Sequence, residues 1–172
     1  MFAGFGGQGI LSMGSLVASA GMVAGRHTTF FPAYGIAQRG GSANCTVIVS
    51  DDPVASPVVA DPGIMVAMNE QALDAFESWV APGGWLFVNS TLTDRKVERT
   101  DVRPVYVPAT QWAVECGDSR MANMAMLGAV IKVTGILPFE TVVATMVRTC
   151  PSKILHLLES NKNAFGKGYA SV

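Results

Sequence analysis

The sequence predicts an α/β fold, a Rossmann-like three-layer domain with a mostly parallel sheet and helices on both faces. Residues 64–68 and 85–88 are continuous apolar runs, which are typical of strands covered on both faces in a parallel sheet. The helix-like residues 70–80 separate these two runs, as a strand–helix–strand connection requires. Four glycines between residues 4 and 9 follow a short apolar run and precede another helix-like segment, which indicates a sharp turn from a strand into a helix.

The first half of the chain contains three further elements. Residues 10–24 form a predicted helix, and small residues such as Gly14 on its inner side would let it lie close to a sheet. Strands are predicted at residues 28–32 and 45–50, where aromatic and β-branched residues are frequent. A long polar and glycine-bearing connection over residues 33–44 would join these strands, and loops of this kind are often functional.

The second half of the chain is mainly helical. A short strand is predicted at residues 105–108. Four helices are predicted after it, at residues 110–116, at residues 121–131, after Pro138 and after Pro151. The helix over 121–131 is apolar almost all round, so it must be buried in this chain or against a partner. Residues 94–103 are charge-dense and predict an exposed loop. Residues 161–172 are polar, and we expect them to fray or to dock on another subunit.

Length and composition narrow the class of protein. The 172 residues suit a single domain, residues 1–172. A hydrophobic content of 49% with only 15% charged residues indicates that part of the outer surface is hidden against other subunits. The net charge of −1 argues against a nucleic-acid partner, and no apolar run reaches the ~18 residues of a membrane span. Residues 18–20 are typical of a signal-peptidase site, but no basic segment precedes them, so we predict a cytoplasmic protein.

The glycines at positions 4, 6 and 9 formally satisfy the Gly-x-Gly-x-x-Gly fingerprint of dinucleotide-binding proteins. That fingerprint also needs an acidic residue about 20 residues further on, at the end of the second strand. No Asp or Glu occurs before Asp51, and Arg26 and His27 precede the predicted second strand. The sequence therefore favours a turn that offers backbone N–H groups to an anion. A free-standing nucleotide-binding oxidoreductase is the alternative.

Polar residues end two of the predicted buried strands, Asn69 after the first and Asn89 after the second. Ligands of parallel sheets bind outside the carboxyl ends of the strands, and the glycine turn lies at the carboxyl end of the first strand. We therefore expect one shared rim, formed by Gly6, Gly7, Gln8, Gly9, Asn69 and Asn89. Each asparagine taken alone could instead be a turn residue or a helix cap.

Arg39 and Gly40 lie in the connection over residues 33–44. Arg39 has no other charged residue within ten positions on either side, and the glycines that follow it would let the backbone approach another molecule closely. We predict that both residues join the rim and that Arg39 meets an anionic group, since the first 50 residues contain no carboxylate. A solvated loop arginine is the alternative.

No catalytic pattern is present in the sequence. It contains no Gly-x-Ser-x-Gly elbow and no Cys–His signature, and His27 and His156 are isolated. Cys45, Cys116 and Cys150 match neither metal nor cluster spacing, so we predict buried thiols and no metal of the chain's own. If the chain belongs to an enzyme, cofactors held elsewhere supply the difficult chemistry, which indicates a subunit.

Three motifs occur in order along the first third of the chain. They are Gly4-Phe5-Gly6-Gly7-Gln8-Gly9-Ile10, Tyr34-Gly35-x-x-x-Arg39-Gly40-Gly41-x-Ala43-Asn44 and Ser50-Asp51-Asp52-Pro53-x-x-Ser56-Pro57. Met68-Asn69, Pro82-Gly83-Gly84, Asn89-Ser90, Pro108-Ala109-Thr110 and Ala122-Asn123-Met124 add to them. Together these motifs resemble the gamma subunit of 2-oxoacid:ferredoxin oxidoreductases. The 2-oxoglutarate branch is the most similar, followed by the branched-chain 2-oxoacid branch.

The resemblance implies a complex with alpha, beta and delta subunits that oxidatively decarboxylates a 2-oxoacid, forms an acyl-CoA and passes two electrons to ferredoxin. It also implies that thiamine diphosphate and the iron–sulfur clusters lie on the other subunits, against which gamma packs. On this interpretation the rim faces the thiamine site and helps to shape the path of CoA. The alternative is a purely structural subunit, whose glycine loops serve only close packing.

Overall fold

The computed structural model describes residues 1–34 and 41–172, and within these ranges it contains six strands and six α-helices. The strands are β1 (Phe2–Phe5), β2 (His27–Tyr34), β3 (Ser42–Ser50), β4 (Ile64–Ala67), β5 (Trp85–Asn89) and β6 (Arg103–Val107). The helices are α1 (Ile10–Val23), α2 (Glu70–Phe76), α3 (Ala109–Glu115), α4 (Ala122–Thr134), α5 (Phe139–Thr149) and α6 (Leu158–Ala170). Short 3-10 turns occupy Glu77–Trp79, Ser119–Met121 and Ser152–Leu157. Every predicted strand and helix is present.

The six strands form one sheet in the order β2-β3-β1-β4-β5-β6. β1, β4, β5 and β6 run parallel, with Phe2 paired to Val66 and Val66 paired to Phe87. β3 is antiparallel to both of its neighbours, β1 and β2. The predicted α/β class with a mostly parallel sheet is therefore confirmed, and an antiparallel hairpin at one edge is added to it.

The connection predicted over residues 33–44 is shorter than expected. β2 continues to Tyr34 and β3 begins at Ser42, with Tyr34 opposite Ala43. The first residues of β3 were assigned to the connection because they are polar. Most of β3 is only half-buried, since an antiparallel hairpin at the edge of a sheet can face water on one side. Polar side chains are therefore compatible with strand structure at this edge.

Helices cover the two faces of the sheet unequally. On one face, buried side chains such as Phe2, Val66 and Phe87 pack in one cluster with α1 and the helices that follow β6. On the other face, the described cluster contains Leu73 of α2, Val80 just after the 3-10 turn that follows α2, and Val102 from the segment between β5 and β6. The predicted three layers are present, but one outer layer consists of a short helix and an irregular segment.

α1 lies close to the sheet because glycines occupy its inner side. A Cβ atom at Gly14 would come within 2.5 Å of Cys45 Sγ and 2.8 Å of Phe30 Cε2. A Cβ atom at Gly21 would come within 2.5 Å of Thr28 Cγ2. The predicted packing of this helix is confirmed, and it places the first turn of α1 at the carboxyl end of β1.

Docking of the final segment on another subunit stays a prediction, whereas the expected fraying is wrong for most of that segment. It belongs to α6, whose Ala164 and Phe165 are completely buried against other helices of the same chain. The contact with α4 is close, because a Cβ atom on Gly168 would overlap the Ala125 carbonyl and one on Gly128 would overlap the Phe165 carbonyl. The polar composition of α6 gave no indication of its narrow buried stripe, Ala164, Phe165 and Gly168.

The Gly168→Ala substitution is expected to lower the free energy of unfolding by about 1–3 kcal/mol, because the added methyl group must push α6 away from α4. Gly166 lies on the same helix, with open space where its Cβ would be. Gly166→Ala should therefore stabilise the chain by about 0.5–1 kcal/mol through helix propensity. Urea denaturation of the isolated chain measures both changes. Equal changes for the two variants would contradict the close contact.

Candidate functional site

The glycine turn joins the carboxyl end of β1 to the first turn of α1. Gly7 has a φ of 101° and Gly9 a φ of 72°, conformations that glycine adopts without steric cost. Gly7 is exposed, with no atom within 4 Å of the position of a Cβ. The Gly6 N–H donates to the Gly41 carbonyl at 2.9 Å, and the Gln8 N–H bonds within the turn. Two amides of the turn are therefore already used.

Gln8 links the carboxyl ends of β1 and β4. Its Oε1 accepts hydrogen bonds from the Phe5 N–H at 2.7 Å and from Asn69 Nδ2 at 2.8 Å. Its Nε2 donates to the Met68 carbonyl at 3.3 Å. Gly4 must lack a side chain here, since a Cβ would lie 2.6 Å from that Oε1. Both acceptor positions of the Gln8 oxygen are occupied, so this side chain holds the turn against β4.

Asn69 is a helix cap. Its Oδ1 accepts a hydrogen bond from the Ala72 N–H at 2.8 Å, which satisfies one of the free amides at the start of α2. Its Nδ2 donates to Gln8, as described above. Of the two roles considered for Asn69, the cap is confirmed. The same side chain also belongs to the hydrogen-bond network of the rim.

Asn89 is completely buried beside the same network. Its Nδ2 donates to the Met68 carbonyl at 3.3 Å and to Thr110 Oγ1 at 3.0 Å. Gln8 and Asn89 therefore meet at one backbone carbonyl, and the strand ends predicted to share a rim do so. Because Asn89 has no exposed surface, we assign it the role of positioning this rim.

Arg39 and Gly40 lie outside the described residues, so their place at the rim stays a prediction. Gly41, which follows them, is described, and its carbonyl accepts the Gly6 N–H. The start of β3 is therefore hydrogen-bonded to the glycine turn.

Hydrogen-bond donors are available at the first turn of α1. The cap residue Gly9 has no side chain to accept an N–H, and the first turn contains no acidic residue. The amides of Ile10, Leu11 and Ser12 consequently lack the partner that an N-cap side chain provides. The positive end of the helix dipole adds to their attraction for an anion. With exposed Gly7 beside them, these donors fit a phosphate or carboxylate group.

Cys45 is not placed for reaction. Cys45 is buried under α1, where its Sγ donates to the Ile10 carbonyl at 3.6 Å. Burial raises the pKa of the Cys45 thiol to about 11, so it stays neutral and unreactive. Cys116 and Cys150 are half-buried, which corrects the expectation of three buried thiols.

Within residues 1–34 and 41–172, no group of three His, Cys, Asp or Glu side chains is placed to hold a metal ion. In the same ranges, every helix is too short or too polar to cross a membrane. The locations predicted for thiamine diphosphate and the iron–sulfur clusters, on other subunits, stay predictions.

Sequence reasoning missed two side chains of the rim, Thr110 and Asn123. Thr110 lies just beyond β6, so the strand-end argument used for Asn69 would also have found it. Asn123 donates from Nδ2 to the Gly9 carbonyl at 3.4 Å, and a Cβ on Gly9 would overlap it. These two residues are 114 positions apart, so no local pattern connects them.

The fold and the rim define a class of protein: a Rossmann-like α/β domain with a glycine turn and an uncapped helix start at the carboxyl edge of its sheet. The family described as pyruvate ferredoxin/flavodoxin oxidoreductase matches residues 1–171. The chain belongs to the pyruvate ferredoxin/flavodoxin oxidoreductase family.

Relatives and solved structures agree with this membership. The chain is 43% identical over 136 residues to ketoisovalerate oxidoreductase subunit VorA of Methanothermobacter marburgensis, which is 78% of this chain and 28% of the relative. The keto/oxoacid ferredoxin oxidoreductase gamma subunit of Geobacter sulfurreducens PCA has a TM-score of 0.84 and 26% identity, covering 98% of this chain and 94% of that one. A further solved structure is the 2-oxoglutarate:ferredoxin oxidoreductase of Magnetococcus marinus with 2-oxoglutarate, coenzyme A and succinyl-CoA bound. It has a TM-score of 0.87 and 27% identity, and the match covers 98% of this chain and 30% of that one.

The resemblance to gamma subunits is therefore confirmed. The chain spans nearly the whole Geobacter gamma subunit but less than a third of VorA and of the Magnetococcus chain. In those two relatives, a domain of this kind is part of a much longer polypeptide.

Proposed function

We propose that this chain is the accessory gamma subunit of a 2-oxoacid:ferredoxin oxidoreductase. The complex converts a 2-oxoacid, CoA and oxidised ferredoxin into an acyl-CoA, CO2 and reduced ferredoxin. Partner alpha, beta and delta subunits hold the thiamine diphosphate and the iron–sulfur clusters, and gamma is not catalytic alone. The family membership supports this proposal, and so does the match to a gamma subunit along nearly its whole length.

In this proposal the rim faces the catalytic site of the complex and helps to hold CoA. The observation that carries it is the uncapped first turn of α1, with exposed Gly7 beside it and no acidic residue nearby in the chain. CoA carries phosphate groups, which these amides could bind as donors. The bound coenzyme A in the Magnetococcus structure supports the choice of anion. Arg39 and Gly40 are proposed to complete the same site.

The substrate proposed first is 2-oxoglutarate, with a branched-chain 2-oxoacid such as ketoisovalerate second. The names of the relatives support both, since one acts on 2-oxoglutarate and another on ketoisovalerate. CoA-dependent reduction of ferredoxin by the assembled complex, assayed with each 2-oxoacid, would decide between them. We expect the selecting pocket to lie on a partner subunit.

The Gly7→Asp substitution tests the role of the rim. A carboxylate at this exposed turn would repel the phosphate groups of CoA, so we expect the KM for CoA of the assembled complex to rise about tenfold or more. Gly7→Asn is the matched control, because Asn has the same shape without the charge and tolerates positive φ better than most residues. Steady-state kinetics with CoA as the varied substrate measures both.

Two outcomes would contradict the proposed CoA contact. If Gly7→Asp and Gly7→Asn complexes have equal KM values, charge at the turn does not matter to CoA. If the Gly7→Asp chain fails to co-purify with its partners, the turn serves packing, which is the purely structural alternative. The bond from Gly6 to Gly41 and the occupied Gln8 side chain favour that second candidate.

The remaining alternative is a free-standing nucleotide-binding oxidoreductase. Calorimetric titration of the isolated chain with NAD and NADP tests it.

A further inference from the structure

A cleft of about 510 Å³ lies beside the rim, between α1 and the helices that follow β6. Its apolar walls come from four elements: Leu16 of α1, Met124 of α4, Met146 of α5 and Leu157 of the 3-10 turn before α6. Asn123, which packs on the glycine turn, also lines this cleft. The cleft is therefore continuous with the rim.

The mouth of the cleft exposes large apolar side chains. Phe30 and Ile154 line it and remain 37% and 40% exposed, and the adjacent Leu155 is 54% exposed. The volume alone would also suit a small molecule. A mouth bordered by exposed apolar side chains favours a protein partner, because such patches mark protein–protein contacts. The methionines of the walls can adapt their shape to an inserted side chain.

Cationic residues adjoin the lining of the cleft in the chain. α5 carries Glu140 in its first turn and Arg148 in its last turn, and the part of α5 that lines the cleft is its C-terminal part, from Met146 onwards. The 3-10 turn that follows contains Lys153 and no Asp or Glu. α1 contributes no charged residue. Arg120 is the charged residue among the described residues that line the cleft. A partner that bears carboxylates would therefore be attracted to this surface.

The carboxylates at the borders of the cleft are already paired. Asp118 Oδ2 lies 2.6 Å from Arg120 Nη2, and Glu159 Oε1 lies 3.0 Å from Lys162 Nζ. These two pairs cancel in charge. Arg148 and Lys153, which precede and follow the lining residues 149–151 in the chain, consequently give this end of α5 an excess of positive charge.

We propose that this cleft is the docking site of an acidic segment of a partner subunit, whose apolar side chains enter the cleft and whose carboxylates meet Arg148 and Lys153. The partner's identity rests on the proposed function, whereas the cleft and its charge do not. Met121 and Met124 line this cleft, and they belong to the segment over 121–131 that the sequence predicts to be buried in this chain or against a partner. Docking here would place the partner directly beside the rim.

Two sets of substitutions test the docking site in the chain co-expressed with its partner subunits. Ile154→Glu introduces a charge at the apolar mouth, and the double change Arg148→Glu with Lys153→Glu reverses the cationic border. We expect each to raise the Kd of the chain for the remaining complex about tenfold or more. Val58→Glu, at a 72% exposed position between β3 and β4, is the control and should change the Kd less than about twofold.

A photo-crosslinking residue at position 154 identifies what occupies the cleft. Mass spectrometry should place the cross-link in a partner segment that combines apolar residues with Asp or Glu. Unchanged Kd values for both cleft variants, or a cross-link to a basic segment, would overturn the proposal. The proposal would also be overturned if calorimetry showed that the wild-type chain binds CoA and that the Ile154→Glu variant does not, since the occupant of the cleft would then be a small anion.

The outcome also separates this inference from the proposed role of the rim. Weakened assembly in the cleft variants, together with normal kinetics of the Gly7→Asp complex, would keep the docking site and remove the CoA contact. Normal assembly of the cleft variants, together with a raised KM for CoA in Gly7→Asp, would remove the docking site and keep the CoA contact. Thermal unfolding of each isolated variant shows whether its fold is intact.

Discussion

The Gly14→Asp variant is expected to be largely unfolded when it is purified alone. The added side chain would start within 2.5 Å of Cys45 Sγ and 2.8 Å of Phe30 Cε2, between α1 and the sheet. Burying an ionised carboxylate without a partner costs several kcal/mol, which is a large part of the ~5–15 kcal/mol that stabilises a typical domain. Circular dichroism and thermal unfolding of the isolated chain measure the loss.

Ser15 provides the matched control, because it is the next residue of α1 and is exposed. Ser15→Asp should change the free energy of unfolding by no more than about 0.5 kcal/mol. Gly14→Ala should fall between the two, since it adds volume without charge and costs about 1–3 kcal/mol. If Gly14→Asp unfolded at the same temperature as Ser15→Asp, α1 could not lie as close to the sheet as described here.

The fold was predictable where its determinants are local. Continuous apolar runs and punctuating glycines act within a few residues, so the α/β class and the buried helix over 121–131 follow from pattern alone. The antiparallel placement of β3 does not, because it depends on the pairing of Cys45 with Phe2 from a distant part of the chain. The helix after Pro151 was predicted, but the burial of α6 was not, because its buried stripe exists only where Gly128 and Gly168 let two helices approach.

The site was predictable to the level of its location. Strand-end reasoning placed Asn69 and Asn89 beside the glycine turn, and they share a hydrogen-bond network there. It could not predict the hydrogen-bond partners of the Gln8 side-chain amide, because these depend on where the carboxyl ends of β1, β4 and β5 lie relative to one another. The sequence therefore overestimated the number of side-chain donors offered to a ligand by Gln8, Asn69 and Asn89, and among the described residues the first turn of α1 supplies the free donors.

The segment between β5 and β6 was predicted to be an exposed loop, and the structure shows an irregular but anchored segment. Glu77, which is 7% exposed, accepts a hydrogen bond from Arg95 Nη2 at 2.6 Å. Its other oxygen accepts the backbone N–H groups of Glu98 at 2.6 Å and Arg99 at 2.9 Å. These bonds hold the segment over the second face of the sheet, where Val102 is buried. The carboxylate of Glu77 thus anchors this segment, which covers part of the sheet where no long helix lies.

The Glu77→Ala substitution is expected to lower the free energy of unfolding by about 2–4 kcal/mol, because three donors lose their acceptor at once. Glu98→Ala is the control: Glu98 Oε1 also lies 3.6 Å from Arg95 Nη1, but its side chain is 83% exposed. Removing an exposed partner should cost no more than about 0.5 kcal/mol. Urea denaturation gives both values, and similar losses for the two variants would show that Glu77 does not anchor the segment.

The same network makes stability depend on pH through Glu77. Burial acts to raise the pKa of this carboxyl, but the Arg99 N–H, the Arg95 guanidinium and the Glu98 N–H together outweigh it, so the pKa lies below its ordinary 4.5. A carboxyl with a depressed folded pKa stabilises the native state above its unfolded pKa, and this contribution is lost as the pH falls through the folded value. Glu77→Gln removes the titrating group and keeps an acceptor, so its stability should fall less steeply than that of the wild type below about pH 4.5. Urea unfolding of both chains between about pH 7 and about pH 3 measures the two slopes, and parallel curves would assign the acid sensitivity to other carboxylates.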